Sequence, residues 1–261
     1  MPKPKQKKLK FLSRDGLKLH GILTSPEDDA KGVLLFVHGI TSDREEWGIF
    51  DLAAMELAKA GIASLRFDFR GHGESKLEGP LITLDGILSD ILSAWNVLEE
   101  KVTGNGKRLK RYLMGSSYGG GLAYAAAGRI GGINRIFLLA PVFDYFLDIE
   151  TCAPKWHTEL KKKDYFHYNE LRLGRGLLNE ALYFSPLEGA RIRTTIFHGT
   201  CDDDVDLALS QAAAAQHKSI NLISVEGAGH VLNVPDDLDL EEEASWDYIR
   251  SMIDQVLREV Q

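Results

Sequence analysis

The chain has 261 residues, 44% of them apolar and 26% charged, enough for a sizeable core in one α/β domain with an insertion. Its net charge of −7, with no offsetting basic stripe, argues against nucleic acid as a partner. No apolar run approaches the roughly 20 residues that cross a bilayer, and no apolar segment follows the N-terminal charges as in a secretory signal. The two cysteines, Cys152 and Cys201, lack metal-site spacing and fit a reducing, cytoplasmic setting.

Lys3, Lys5, Lys7, Lys8 and Lys10 crowd the start of the chain, which reads as a solvated, partly disordered segment rather than a polyanion-binding arm. Residues 9–13 and 17–24 then resemble a hairpin turning at Asp15-Gly16. Near-continuous apolar runs at 32–37, 62–67, 109–114, 134–139, 194–198 and 220–225 suit strands buried on both faces of a mostly parallel sheet. Helical patterns alternate with them at 47–59, 81–101, 118–129, 206–216 and 241–260. This alternation predicts an eight-stranded, mostly parallel α/β sheet flanked by helices. Gly61 is placed to cap the first helix, and acids gather where the last one begins.

One stretch breaks the rhythm. Residues 142–183 hold no clear strand but carry Phe143, Tyr145, Phe146, Trp156, Tyr165, Phe166, Tyr168 and Tyr183. A structureless loop of that length is unexpected in a compact domain, so the segment should have a small structure of its own. It leaves from the carboxyl edge of the sheet, where ligands bind in open α/β folds. The reading is a core of 1–141 and 184–261, with 142–183 as a cap, and Phe143, Trp156, Tyr165 and Phe166 as candidate substrate-binding residues.

The chemistry centres on Gly115-Ser116-Ser117-Tyr118-Gly119, where an apolar strand runs into a sharp turn and a helix leaves it. Glycines on both sides remove the Cβ atoms that would collide with neighbouring backbone. Ser117 would need an adjacent base. His230 follows the last predicted strand in Gly227-Ala228-Gly229-His230, a flexible loop able to carry an imidazole over the sheet edge. The orienting acid falls among Asp202, Asp203 and Asp204, after the strand at 194–198, giving the chain order Ser, Asp, His. Spacing alone leaves the three open. The oxyanion hole would take one amide from Tyr118 and one from the His38-Gly39-Ile40 loop, with Ile40 placed to supply it.

Several segments together resemble the α/β-hydrolase superfamily, and within it the capped serine esterases related to cinnamoyl/feruloyl esterases and monoacylglycerol lipases. They are His38-Gly39-Ile40, Asp68-Phe69-Arg70-Gly71-His72-Gly73-Glu74-Ser75, the Ser117 pentapeptide with Gly120, Leu139-Ala140-Pro141, His198-Gly199 with Asp202 and Val205, and Gly229-His230. The resemblance covers nearly the whole chain and selects Asp202 as the catalytic acid. It makes His72 a loop-structuring residue and His198 a strand-end residue beside the acid loop. It implies a small-molecule ester substrate hydrolysed through an acyl-enzyme, with no metal or organic cofactor, in a monomer or homodimer. Ser116 stands where many relatives have His, and Asp206 where Pro is common, so a relative's substrate preference does not transfer. Peptidase, thioesterase, lipase or carbon–carbon hydrolase activity on the same triad are the alternatives, and a noncatalytic ligand-binding role is the reading outside enzymes.

Overall fold

A computed structural model describes residues 3–78, 81–102, 109–188 and 191–261. The main sheet contains β1 (Lys5–Leu12), β2 (Lys18–Ser25), β3 (Gly32–Val37), β4 (Ile62–Asp68), β5 (Lys110–Ser116) and β6 (Arg135–Leu139). After an insertion bearing the small hairpin β7 (Tyr165–Tyr168) and β8 (Leu171–Gly174), it is completed by β9 (Thr194–Gly199) and β10 (Ile220–Val225). The strand order is β1-β2-β4-β3-β5-β6-β9-β10. The first two strands are antiparallel to each other, and β2 is antiparallel to β4, while β4 through β10 run parallel along the sheet.

The apolar runs form strands buried on both faces because successive side chains project to opposite sides. Val33, Leu35 and Val37 enter one core, whereas Leu34 and Phe36 enter the other. In β5, Leu113 likewise divides from Tyr112 and Met114. Helices α2 (Leu84–Val102), α3 (Ser117–Ile130) and α7 (Leu207–Gln216) cover the first face. Helices α1 (Ile49–Lys59) and α8 (Glu243–Val260) cover the second. The fit of α8 follows from Ile249, Met252, Ile253, Val256 and Val260, whose spacing makes one apolar stripe. Gly61, at φ +87°, turns the chain just beyond α1.

Two expectations need correction. The N-terminal lysines are not a loose tail: Lys5, Lys7, Lys8 and Lys10 are exposed along β1, hydrogen-bonded in register to β2. Charge on that outer strand discourages pairing with another sheet. The stretch 142–183 also contains strands. It folds as α4 (Tyr145–Cys152), α5 (Trp156–Glu159), the β7–β8 hairpin and α6 (Arg175–Ala181). Four-residue strands joined by Asn169, at φ +49°, are too short to give a periodic sequence signal.

Candidate active site

Ser117 stands at the junction of β5 and α3 with φ +51°, a left-handed conformation costly for a residue with a side chain. The turn closes only because its neighbours are small. A Cβ on Gly119 would lie 2.1 Å from the His38 carbonyl oxygen, and one on Gly115 would lie 2.8 Å from the Gly119 oxygen. The helix therefore seats directly against the loop after β3, with the serine hydroxyl at its N-terminal end.

His230 Nε2 lies 2.9 Å from Ser117 Oγ. Its Nδ1 lies 2.9 Å and 3.1 Å from the two Asp202 carboxylate oxygens. Burial opposes charging of the imidazole, but the Asp202 carboxylate outweighs it and holds the His230 pKa above the ordinary value. Burial also opposes ionisation of Asp202. Hydrogen bonds from His198 and His230 and the Val205 amide overcome it, keeping the carboxyl well below the usual carboxylate range. Asp202 Oδ1 accepts from the Asp204 and Val205 amides, both at 2.9 Å. His198, buried at the end of β9, places Nε2 3.1 Å from Asp202 Oδ2 and bonds Ser210 Oγ through Nδ1 at 2.8 Å. Of the three consecutive acids, Asp202 is the one brought to His230, while Asp203 and Asp204 are exposed. Asp202, Asp204 and His230 each have a ligand-type atom within 4.8 Å of the others', but Asp202 and His230 are already engaged with each other.

The loop after β3 is braced from behind. His72 reaches the Ile40 carbonyl oxygen through Nε2 and the Arg70 carbonyl through Nδ1. His38 stacks on Phe69 at 3.8 Å and accepts from the Phe69 amide. Asp68 anchors the Asp68–Ser75 stretch by accepting from the Arg44 and Glu74 amides, both at 2.9 Å. His72 thus occupies the structuring position its motif implied. The Gly39 amide donates to Glu46 Oε2 at 3.0 Å. Glu46 is buried, 1% exposed, in a turn where Glu46 and Trp47 both adopt positive φ, +45° and +53°. Burial pushes its carboxyl pKa up. Ile40 lines the cavity beside Ser117. Tyr118 lies in the first turn of α3, whose amides have no intrahelical acceptor. Its ring turns away into the core against Tyr145, 4.5 Å between centroids.

Ser117 and His230 open into a cavity of about 750 Å³. Asp148, Cys152, Tyr168 and Asn169 of the insertion form one wall of this cavity. Burial raises the Asp148 pKa to about 6, although Tyr168 Oη donates to its carboxylate at 2.8 Å. The four aromatic candidates lie elsewhere: Phe143, Trp156, Tyr165 and Phe166 are not among the lining residues. Phe166 is fully buried in the core, and Phe143 packs edge-on to Tyr124. Trp156 packs edge-on to Phe146 and donates to Glu150, while Tyr165 carries Lys163 and Arg172 near its ring. Phe143, Trp156 and Phe166 pack into the apolar core, which a short segment needs before it can hold any shape, whereas Tyr165 is half-buried. Sequence reading missed Glu46, Trp47 and Asp148 as lining residues. The signal available was their nearness to the two motif-bearing strand ends, at β3 and β6.

The sheet order and a serine–histidine–aspartate chain at the strand ends define an α/β-hydrolase. The chain belongs to the Hydrolase_4 (serine aminopeptidase, S33) family, whose model matches residues 28–183, including Ser117 but not Asp202 or His230. A monoacylglycerol lipase of Mycolicibacterium smegmatis is 28% identical over 130 residues, half of this chain and 44% of the lipase. The chain thus aligns with less than half of that relative's length. Among solved structures, Est1E from Butyrivibrio proteoclasticus with ferulic acid bound is similar at TM-score 0.76 and 22% identity, over 95% of this chain and 99% of Est1E. Mouse alpha/beta hydrolase domain-containing protein 10 is similar at TM-score 0.72 and 19% identity, over 98% and 100% of the two chains. Among the described residues, no helix is long and apolar enough to cross a membrane.

Proposed function

We propose that the protein is a serine carboxylesterase acting on small to medium carboxylic esters. The observation that carries this reading is the continuous chain from Ser117 Oγ through His230 to Asp202 at the floor of the cavity. In this reaction Ser117 Oγ attacks the ester carbonyl as His230 Nε2 takes its proton, and Asp202 stabilises the resulting imidazolium. The Ile40 and Tyr118 amides hold the oxyanion. Collapse breaks the bond to the alcohol, which leaves with the proton from His230. Water then attacks the acyl-enzyme with His230 again as base, releasing the acid and restoring Ser117. No step calls for a metal or organic cofactor.

The family's description as a serine aminopeptidase favours a second reading, in which the same groups cleave an amide. The test is a panel of short p-nitrophenyl esters, feruloyl esters, monoacylglycerols and aminoacyl amides, with Ser117→Ala as the blank. Turnover of esters by the wild type and its loss in the variant is the expected result. Cleavage of aminoacyl amides alone selects the second reading. Near-wild-type ester turnover by Ser117→Ala sinks the assignment of the nucleophile.

A further inference from the structure

The loop after β3 is tied down at most of its polar groups. The Gly39 amide donates to Glu46 Oε2 at 3.0 Å, the Ser42 amide donates to the Gly39 carbonyl oxygen at 3.3 Å, and His72 holds the Ile40 carbonyl. His38 Nε2 accepts from the Phe69 amide, so Nδ1 carries the ring proton and donates to the Gly39 carbonyl oxygen at 2.7 Å. In a planar trans peptide the N–H and C=O point opposite ways. The Ile40 amide therefore points away from the buried His38 ring, and among the described residues it takes no acceptor.

Glu46 joins this loop to the turn that carries Ser117. Its carboxyl accepts from the Gly39 amide and from the Ser42 and Ser116 hydroxyls. Ser116 is the N-cap residue of α3, where a serine hydroxyl ordinarily takes a helix amide, yet it makes no capping bond. A Cβ on Gly39 would lie 3.3 Å from Glu46 Oε1 and 3.4 Å from the Ser117 Cβ, so the loop is wedged between the carboxyl and the nucleophile. Glu46 Oε1 is shut off from solvent, so the group bears on the backbone and not on substrate. Glu46 and Trp47 both adopt positive φ, a costly conformation that persists only where the surroundings over-determine it. From this arrangement we infer that Glu46 is a positioning residue of the oxyanion hole, clamping the Ile40 loop and the Tyr118 turn from behind so that both amides meet at one point. The inference rests on the esterase reading and adds a residue to its machinery. Pinned backbone donors need no reorganisation as charge develops on the carbonyl oxygen, whereas loosened ones do.

The test separates the oxyanion from ground-state binding in variants whose folding is checked by far-UV signal and Tm. Glu46→Ala should lower kcat for p-nitrophenyl butyrate by roughly tenfold to a hundredfold, with KM changed by less than about threefold. It should weaken binding of a medium-chain alkyl trifluoromethyl ketone by a similar factor, because Ser117 adds to that carbonyl and creates a tetrahedral oxyanion. Glu46→Gln keeps an acceptor for the Gly39 amide and should recover most of both losses. Ser116→Ala should lower kcat and ketone affinity by about threefold or more, and adding it to Glu46→Ala should cost nothing further, since both act through one carboxyl. A folded Glu46→Ala with wild-type kcat and ketone affinity, its loss confined to Tm, would overturn the inference, as would a folded Glu46→Gln no better than alanine. If Glu46→Ala does not fold, Ser116→Ala decides, and wild-type kcat and ketone affinity in that variant would overturn the inference. If the wild type cleaves no ester, the esterase reading fails while ketone affinities in the same variants still test the clamp. A wild type that neither cleaves esters nor binds the ketone overturns both.

Discussion

The two walls of the cavity are made of different material. On the sheet side, Ser117, Asp202 and His230 hang from the ends of β5, β9 and β10, and their polar atoms are paired within the protein. On the insertion side, Asp148 and Tyr168 line the cavity, and Asp148 remains a buried acid that accepts from the Tyr168 hydroxyl and, at longer range, from the Cys152 thiol. The triad groups are hydrogen-bonded to one another before substrate arrives, whereas Asp148 has a tyrosine hydroxyl and a thiol as its side-chain partners. Under the proposed esterase reading, such a division would let one wall carry the bond chemistry while the other selects what reaches it.

The largest test of this contrast is Ser117→Ala, which should lower kcat by several orders of magnitude with an unchanged far-UV spectrum, since residues of a triad act as a unit. A folded variant retaining a tenth of the activity would break the sheet-side assignment. Next is Asp202→Asn, expected to cost about 10⁴ in kcat, against less than about tenfold for Asp203→Asn or Asp204→Asn, which lie outside the hydrogen bond to His230. The pH profile sharpens this. His230 must be neutral to accept the Ser117 proton, so activity rises with pH through its pKa. Because Asp202 raises that pKa, the acidic limb of kcat/KM should lie above the ordinary histidine value of about 6.5. Asp202→Asn should move it down; a limb that stays put would contradict the pairing.

On the other wall, Phe166→Ala should destabilise the fold by about 3–5 kcal/mol in denaturant titration, because the ring is fully buried, and leave ester selectivity within twofold. A large selectivity change with little loss of stability would return that ring to the substrate site. Asp148→Asn should show the smallest effect and the opposite sign. With a folded pKa of about 6 against an ordinary 3.8, Asp148 favours the folded state most when protonated. That contribution is present below the unfolded value and is lost as pH rises through about 6. The variant should therefore gain stability over the wild type near pH 8, by at most about 3 kcal/mol, and gain little near pH 4. Equal stability at both pH values would mean that Asp148 ionises freely.

Much of the sheet was legible because a strand buried on both faces leaves an unmistakable run, as in Val33-Leu34-Leu35-Phe36-Val37. The groups at Ser117, Asp202 and His230 were legible through small-residue turns and chain order, though choosing among three adjacent aspartates needed a resemblance. Glu46 and Asp148 were not legible. Glu46 sits in the charged run Arg44-Glu45-Glu46, and Asp148 is an ordinary acid early in α4. Their character comes from being enclosed by distant segments, which composition does not encode. The aromatic stretch misled for a related reason: a ring that fills a small unit's interior reads in sequence like a ring offered to a ligand.

The strand order also ranks the site's components by durability. Ser117 follows β5, flanked by strands on both sides, whereas His230 follows β10, the outermost strand of its edge. Edge elements open locally at lower free energy than central ones. Mild denaturant should therefore detach the base from the nucleophile first, with activity failing before far-UV signal or Ser117 burial changes. Coincident loss of both would mean that the edge melts only with the whole. In storage or in a cell, such a protein would pass through a reversibly silent form, folded at its centre and disarmed at its rim.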